Sequence, residues 1–270
     1  MAENQVGISQ RQLAKEFSVS RCCITRNMKK MGLKYYKRQR APKYNQQQLE
    51  KIPGQCRKLR RKFINNKTIL ILDDEKYFTM SGDNMPANAG FYSSNKINTP
   101  NDVKFKQKRK YEPKVLVWLA LSCQGVSQPY IGTTKGVAIN SDVYVQKCLP
   151  KLLAFIKEHH QHDDYIFWPD LASSHYANTT IDWLKERKIN FVPRLVNPPN
   201  VPKARPIEDF WSILAQKVYS EGWIATTQQQ LINRIKQQLK KIDLNVVQKM
   251  MLGVRNKLRK IEDQGPFSIL

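Results

Sequence analysis

Acidic side chains are scarce in this chain, 22 Asp and Glu against 46 Lys and Arg over 270 residues, and the formal charge of +24 leaves a polyanion as the natural partner. An excess of that size concentrates phosphates around a protein and makes binding salt-sensitive, so nucleic acid heads the expected partners. Long hydrophobic runs are also missing. The longest, Val115 to Leu121, is far too short to span a bilayer, so a soluble protein without a membrane partner is expected. The five cysteines, Cys22, Cys23, Cys56, Cys123 and Cys148, are odd in number and show no CxxC spacing. That excludes a zinc ribbon or disulfide framework and fits a reducing, intracellular compartment. The opening MAENQVGISQ has neither an apolar run nor a basic leader, so no secretory signal is expected.

The charge is concentrated at one end. Residues 1–62 hold 17 Lys and Arg against 3 Asp and Glu, and within them SQRQLAKEFSVSRCCITRNMKKMGL reads as helix, tight turn, helix. Leu13, Ala14 and Phe17 form one apolar face, Val19 sits in the turn, Ile24 and Met28 repeat at helical spacing, and Ser20 is a suitable N-cap. The second helix carries Arg21, Thr25, Arg26, Lys29 and Lys30, as a helix lying in a major groove would. A plain helical hairpin with a solvated basic face is the alternative. From Gly32 the pattern gives way to LKYYKRQRAPKYNQQQ, a basic linker in which Lys37, Arg38 and Arg40 are placed to contact DNA. The pair flanking Gln39 suits a minor groove, a solvated tether or a nuclear-import signal. The expected segments are a helix-turn-helix domain over 1–32, a basic linker over 33–65, an α/β domain over 66–225 and a basic helical region over 226–270.

Past residue 65, strand and helix signals alternate. Thr68 to Leu72 is an apolar strand that ends at Asp73-Asp74, and Val115 to Ser122 is a second strand, with a turn at Gly125 and a further strand near Tyr130. A helix from Ser141 to His159 turns Val145, Leu149, Leu152 and Ile156 inward. A strand at Tyr165–Trp168, a helix over 177–187, a strand over 189–192 and a helix from Pro206 complete the pattern of an α/β domain. The stretch between Thr79 and Lys114 has little periodicity and predicts a long functional or mobile loop.

Three phrases carry the chemistry: ILDDEKYF, FWPDLASSH and RPIEDFW. They place Asp74 at the end of the first strand, Asp170 after a later one and Glu208 in the first turn of a helix with Pro206 at N1. An acid beside buried core is costly unless a cation or solvent compensates it, and carboxylates of this kind hold paired divalent ions for phosphodiester cleavage. Asp73 is the alternative to Asp74. Taken singly, each acid also has a structural reading, as a turn or as a favourable charge at a helix start. His159, His160, His162, Asp163 and Asp164 are expected in a solvated turn, His175 either orients the site or packs, and Trp118, Trp183 and Trp211 are expected in the core.

In this order, helix-turn-helix, basic linker, DDEKYF, VLVWLALSCQG, DLASSH and PIEDFW, the chain resembles transposases of the mariner superfamily over nearly its whole length. The 37 residues between Asp170 and Glu208 fall in that family's range. The resemblance implies a ribonuclease-H-like catalytic domain behind a small all-α helix-turn-helix domain. It also implies two Mg²⁺ (or Mn²⁺) ions on Asp74, Asp170 and Glu208, binding of terminal inverted repeats, cleavage by water, and attack of the freed 3′-hydroxyl on double-stranded target DNA at a TA step. A homodimer on DNA is implied too, working in the nucleus of a eukaryotic host or otherwise in the cytoplasm and nucleoid. Leu171 departs from the Asn that commonly follows the second acid, and NPPNVPKAR is more basic than the family's approach to the third. Of the two helix-turn-helix units that the family usually has before the linker, one, and the first helix of the remaining one, are expected to be absent. A decayed transposase that only binds DNA is the first rival reading, and a retroviral-type integrase the second, opposed by PIEDFW and by the lack of a His₂Cys₂ pattern.

Overall fold

The computed structural model describes residues 6–65, 67–82, 85, 88–105, 110–132 and 139–270. Contacts divide the chain into two compact units, Met1–Ala41 and Pro42–Leu270.

In the first unit, α1 (Gln10–Glu16) opens on a capping box: the Ser9 hydroxyl accepts from the Gln12 N–H, and the Gln12 side chain accepts from that of Ser9. Ser20 caps α2 (Arg21–Lys30) by accepting from the Cys23 N–H at 3.2 Å, as the sequence predicts. Gly32, at φ +70°, lets the Leu33 N–H turn back onto the Met28 carbonyl and end the helix. Leu13 is buried and Ala14, Ile24 and Met28 are partly so, but Phe17 and Val19 are exposed. The seven-residue α1 stops one position short of Phe17, so the predicted apolar face is narrower than the periodicity suggests. Residues 33–41 form neither helix nor strand.

The second unit is built on a mixed sheet of β1 (Ile69–Thr79), β2 (Lys114–Ser122), β3 (Gly125–Val126), β4 (Tyr130–Gly132) and β5 (Tyr165–Trp168). β1 and β2 pair antiparallel from Leu72↔Leu121 to Thr79↔Lys114, with α4 (Asn101–Lys104) in the loop joining them. β3 and β4 both pair with the outer edge of β2, and β5 lies parallel to β1. The first strand therefore runs past its two aspartates instead of ending there, because β2 continues to pair with its polar half. The strand expected over 189–192 reduces to a single bridge between Phe191 and Phe167. Pro193 follows with no N–H to extend it.

Side-chain alternation divides the core in two. Leu70, Leu72 and Phe78 of β1 face α3 (Gln46–Lys58), α8 (Pro206–Val218), α9 (Gln228–Leu239), α10 (Leu244–Leu252) and α11 (Val254–Gln264). Ile71 of β1, with Leu116, Trp118 and Phe167, faces α6 (Leu149–His159) and α7 (Asn178–Glu186). Thus α3 from the expected linker and the carboxyl-terminal helices share one core with the sheet. Glu262 of α11, almost fully covered, accepts from Arg57, Arg60 and Arg61 and fastens α11 to the α3 segment.

The expected helix over 141–159 is in three parts: α5 (Ser141–Val143), a π-helical segment Tyr144–Cys148, and α6. The wider segment turns Tyr144 and Cys148 inward and leaves Val145 only partly covered. At the far end of α6, His160 is fully buried, which corrects the solvated-turn reading. Its Nε2 lies 2.9 Å from the Ser122 hydroxyl and its Nδ1 3.0 Å from Asp163. The order is that of a serine hydrolase triad, but Ser122 is itself buried, so the chain of bonds ties β2 to the end of α6. Burial holds His160 below its ordinary pKa despite the bond and charge of Asp163. A folded pKa below the unfolded one gives stability that is present above about pH 6.5 and lost as pH falls. His160→Ala should cost ~1–3 kcal/mol at pH 7.5, since Ser122 and Asp163 lose their partner. It should also flatten the fall in urea midpoint towards pH 5, and a wild-type slope in the variant would refute this role.

Candidate active site

The side-chain parity of β1 decides between the two neighbouring aspartates. Asp73 shares the face of Ile71 and is fully buried, where its Oδ2 accepts from Trp118 Nε1 at 3.0 Å and from the Tyr144 hydroxyl at 2.5 Å. Asp74 shares the face of Leu72 and Phe78 and meets α8, where Trp211 Nε1 donates to its Oδ2 at 2.8 Å. Asp73 is an internal anchor. Asp74 is the acid of β1 that meets Glu208's helix.

Glu208 stands in the first turn of α8, exposed, while Ile207, Phe210, Trp211, Leu214, Ala215 and Val218 bury the helix against the sheet. Burial pushes the Asp74 carboxyl up to about 7; the Glu208 charge adds to this, and Arg205 and the Trp211 N–H oppose it.

Asp170 follows the end of β5 and is engaged differently. Its Oδ1 accepts from the Ala172 N–H at 2.8 Å and lies 2.5 Å from Nδ1 of His175, a close charge contact without the alignment of a hydrogen bond. Burial works against ionisation of Asp170, but the close charge of His175 and the Ala172 N–H prevail and hold it down at about 2. His175 is buried and stacks on Tyr144 with ring centroids 4.2 Å apart. Burial alone would lower its pKa, yet Asp73, Asp170 and Glu75 raise it to about 9. Glu75, on the Asp73 side of β1, is pushed up to about 7 by burial and by Asp74, Asp170 and Asp73, against the pull of His175. Its Oε2 is buried without a hydrogen-bond partner among the described residues.

The three predicted acids therefore fall into two groups, Asp74 with Glu208 and Asp170 with His175, Asp73 and Glu75. Among the described residues no three acidic, His or Cys side chains already converge as a metal cage. The donor chemistry nonetheless suits a hard cation. Asp74 on β1 and Glu208 on the facing first turn of α8 are carboxylates, and Mg²⁺ is usually held by one or two carboxylates, with phosphate and water completing its shell.

The residues predicted to read DNA lie exposed on α2, but two of them are tied back to α1. Gln10 Oε1 accepts from the Thr25 hydroxyl at 3.1 Å and from Arg21 Nε at 3.4 Å. Arg26, Lys29 and Lys30 are exposed on α2, as are Lys37, Arg38 and Arg40 on the extended segment. Gln10 had no signal in the sequence beyond its place at a helix start. Arg205 was legible only as one more basic residue before Glu208.

Comparison with known proteins joins these observations. The chain is 26% identical to the Tc3 transposase of Caenorhabditis elegans over 196 residues, 73% of this chain and 56% of that protein, so it spans little more than half of the relative's length. Its fold matches the Mos1 transposase in a paired-end complex with the left transposon end, with a TM-score of 0.76 and 16% identity, over 98% of this chain and 76% of that one. The chain is thus similar in sequence to a transposase and shares its fold with another. The crystal structure of the Mos1 mariner catalytic domain alone matches with a TM-score of 0.59 and 16% identity, over 84% of this chain and 98% of that one. A Mos1 mariner paired-end complex with Mg matches with a TM-score of 0.75 and 17% identity, over 96% of this chain and 75% of that one. No protein-family model matches the chain. The sheet and its flanking helices share the ribonuclease-H-like fold of that catalytic domain.

Proposed function

We propose that the chain is a cut-and-paste DNA transposase that binds terminal inverted repeats, cleaves DNA and joins the freed 3′-hydroxyl ends to target DNA at TA steps. The observation that carries this reading is the placement of Asp74 on the face of β1 that α8 covers, with Glu208 in the first turn of that helix and Asp170 following the adjacent β5, on a fold shared with the Mos1 complexes. Asp74, Asp170 and Glu208 would hold Mg²⁺ or Mn²⁺, two ions per site. When bound, the ions activate the attacking oxygen and neutralise charge on the phosphate and leaving group. Trp211 fixes one Asp74 oxygen and leaves the other for a ligand. His175 holds the Asp170 carboxylate ionised and oriented. Glu208, at the exposed N-terminus of α8, can approach a phosphodiester without burying charge. A homodimer on paired ends and a nuclear site of action belong to the same proposal.

The second reading is a DNA-binding protein that has lost its chemistry. The close Asp170–His175 contact and Leu171 beside it favour this reading. A plasmid carrying the inverted repeats that flank the coding sequence separates the two. The proposal expects Mg²⁺-dependent release of the intervening fragment with free 3′-hydroxyl ends. Tight repeat binding with no release in either Mg²⁺ or Mn²⁺ would leave only the second reading.

For recognition, α2 is assigned to the major groove and the segment through Lys37, Arg38 and Arg40 to the phosphates. Arg21→Ala or Arg26→Ala should cost ~1–3 kcal/mol on the cognate end and relax its sequence preference. Arg38→Ala and Arg40→Ala should weaken every duplex alike and reduce the salt slope by about one each. Fluorescence anisotropy on cognate and scrambled duplexes from ~50 to 200 mM salt reads both effects. Equal losses on the two duplexes for Arg21 and Arg26 would show that α2 does not read bases.

A further inference from the structure

We infer that Arg205 is a positioning residue of this site: its side chain ties the strands that bear Asp74 and Asp170, and its backbone opens the helix that bears Glu208. The inference rests on the metal-site reading above and gives a role to the basic residue that opens the RPIEDFW phrase.

The parallel ladder between β1 and β5 ends at Leu72↔Trp168. It cannot continue on the β5 side, because Pro169 has no N–H to donate. Both strands must nevertheless run on, since their next residues deliver Asp74 and Asp170. Arg205 occupies this gap. One guanidinium nitrogen, Nη1, donates to the carbonyls of Trp168 at 3.1 Å and Pro169 at 3.2 Å, and Nη2 donates to the carbonyl of Asp73 at 2.9 Å. Its plane lies over Trp168, 5.2 Å from the ring centroid, and the residue is only 7% exposed. The fork thus replaces the missing ladder bonds and sets the spacing of the strands at the acids.

The third element is fixed through the backbone. Arg205 is the N-cap of α8, and its carbonyl accepts from the Glu208 N–H at 3.2 Å. A shift of Arg205 would therefore move Glu208 relative to both strand ends at once. A rigid planar fork can hold carbonyls from two strands together, whereas a lysine ammonium on a flexible stem is a point charge without that geometry. Mg²⁺ demands near-ideal octahedral coordination, so small errors in carboxylate placement fall directly on its affinity.

The test uses the full chain with Arg205→Lys and Arg205→Gln, and reads Mn²⁺ binding by electron paramagnetic resonance independently of any cleavage. Asp74→Asn serves to show that the bound ion sits at this site. Supporting partners of metal ligands are typically worth about 10–100-fold in affinity, and a loss of that order is expected for both variants. Arg205→Lys is expected to keep a wild-type unfolding transition by tryptophan fluorescence while losing affinity, which a purely structural role would not produce. In a cleavage assay the Mg²⁺ concentration for half-maximal rate should rise by the same factor. Mn²⁺ affinity within two-fold of wild type in folded Arg205→Lys and Arg205→Gln would overturn the inference even if the wild type cuts DNA. Conversely, weakened Mn²⁺ binding in both variants with no cutting of the repeats by the wild type would uphold Arg205 and remove the transposase reading.

Discussion

Replacing Asp74, Asp170 or Glu208 by its amide is expected to lower Mg²⁺-dependent strand cleavage by roughly 10³-fold or more, at the upper end of what losing one charge-stabilising group costs an enzyme. The amides keep the shape of the carboxylates and lose the charge that holds the ions. Asp73→Asn is the informative contrast. Asp73 is fully buried, accepts from Trp118 and Tyr144, and faces away from α8, so its amide should alter stability far more than cleavage. Repeat binding should stay within a few-fold in all four variants, because α1, α2 and the segment to Ala41 form a separate compact unit. Gel analysis of nicked and released strands checks the first claim and anisotropy the second. Cleavage lost in Asp73→Asn and retained in Asp74→Asn would reverse the assignment of the first acid.

The largest stability effect is expected at Trp211. Its ring is 2% exposed and packs edge-on against Phe78 and Phe210, at centroid distances of 6.2 and 5.9 Å. Trp211→Ala should cost ~3–5 kcal/mol, the usual range for emptying a large aromatic site. Trp211→Phe retains much of the packing and removes the N–H that holds Asp74, a loss of about 1–3 kcal/mol for a buried acceptor left without its partner. The phenylalanine variant should therefore stay folded while its metal dependence worsens. All five tryptophans lie in the larger unit, so fluorescence-detected urea unfolding reports on that unit alone. A Trp211→Ala midpoint equal to that of Trp211→Phe would show that the ring contributes little beyond its hydrogen bond.

Much of this arrangement is legible in the sequence wherever one local rule decides. The N-cap at Ser20, the inner face of α8 and the strand before Asp170 follow from capping chemistry and apolar spacing. The acids themselves were found because charge at the ends of apolar runs is unusual. What escaped was fixed by pairing between distant segments. The polar DDEK stretch reads as the end of a strand, and only the ladder with β2 carries β1 on to Thr79. The choice between Asp73 and Asp74 depends on which sheet face α8 covers, which no window around residue 74 contains. His160 reads as part of a polar turn, yet Ser122, 38 positions earlier, draws it into the core. Arg205 reads only as a basic residue ahead of Glu208 until Pro169 and Asp73 are seen to leave carbonyls facing it.

The central claim is that Asp74, Asp170 and Glu208 together hold the divalent ions. It is tested most directly by anomalous diffraction from crystals of the full chain, bound to a pre-cut repeat end and soaked in Mn²⁺. Two peaks are predicted within reach of Asp74, Asp170 and Glu208. Peaks that instead engage Asp73, Glu75 and His175, or no peak beside Asp74, would contradict the account.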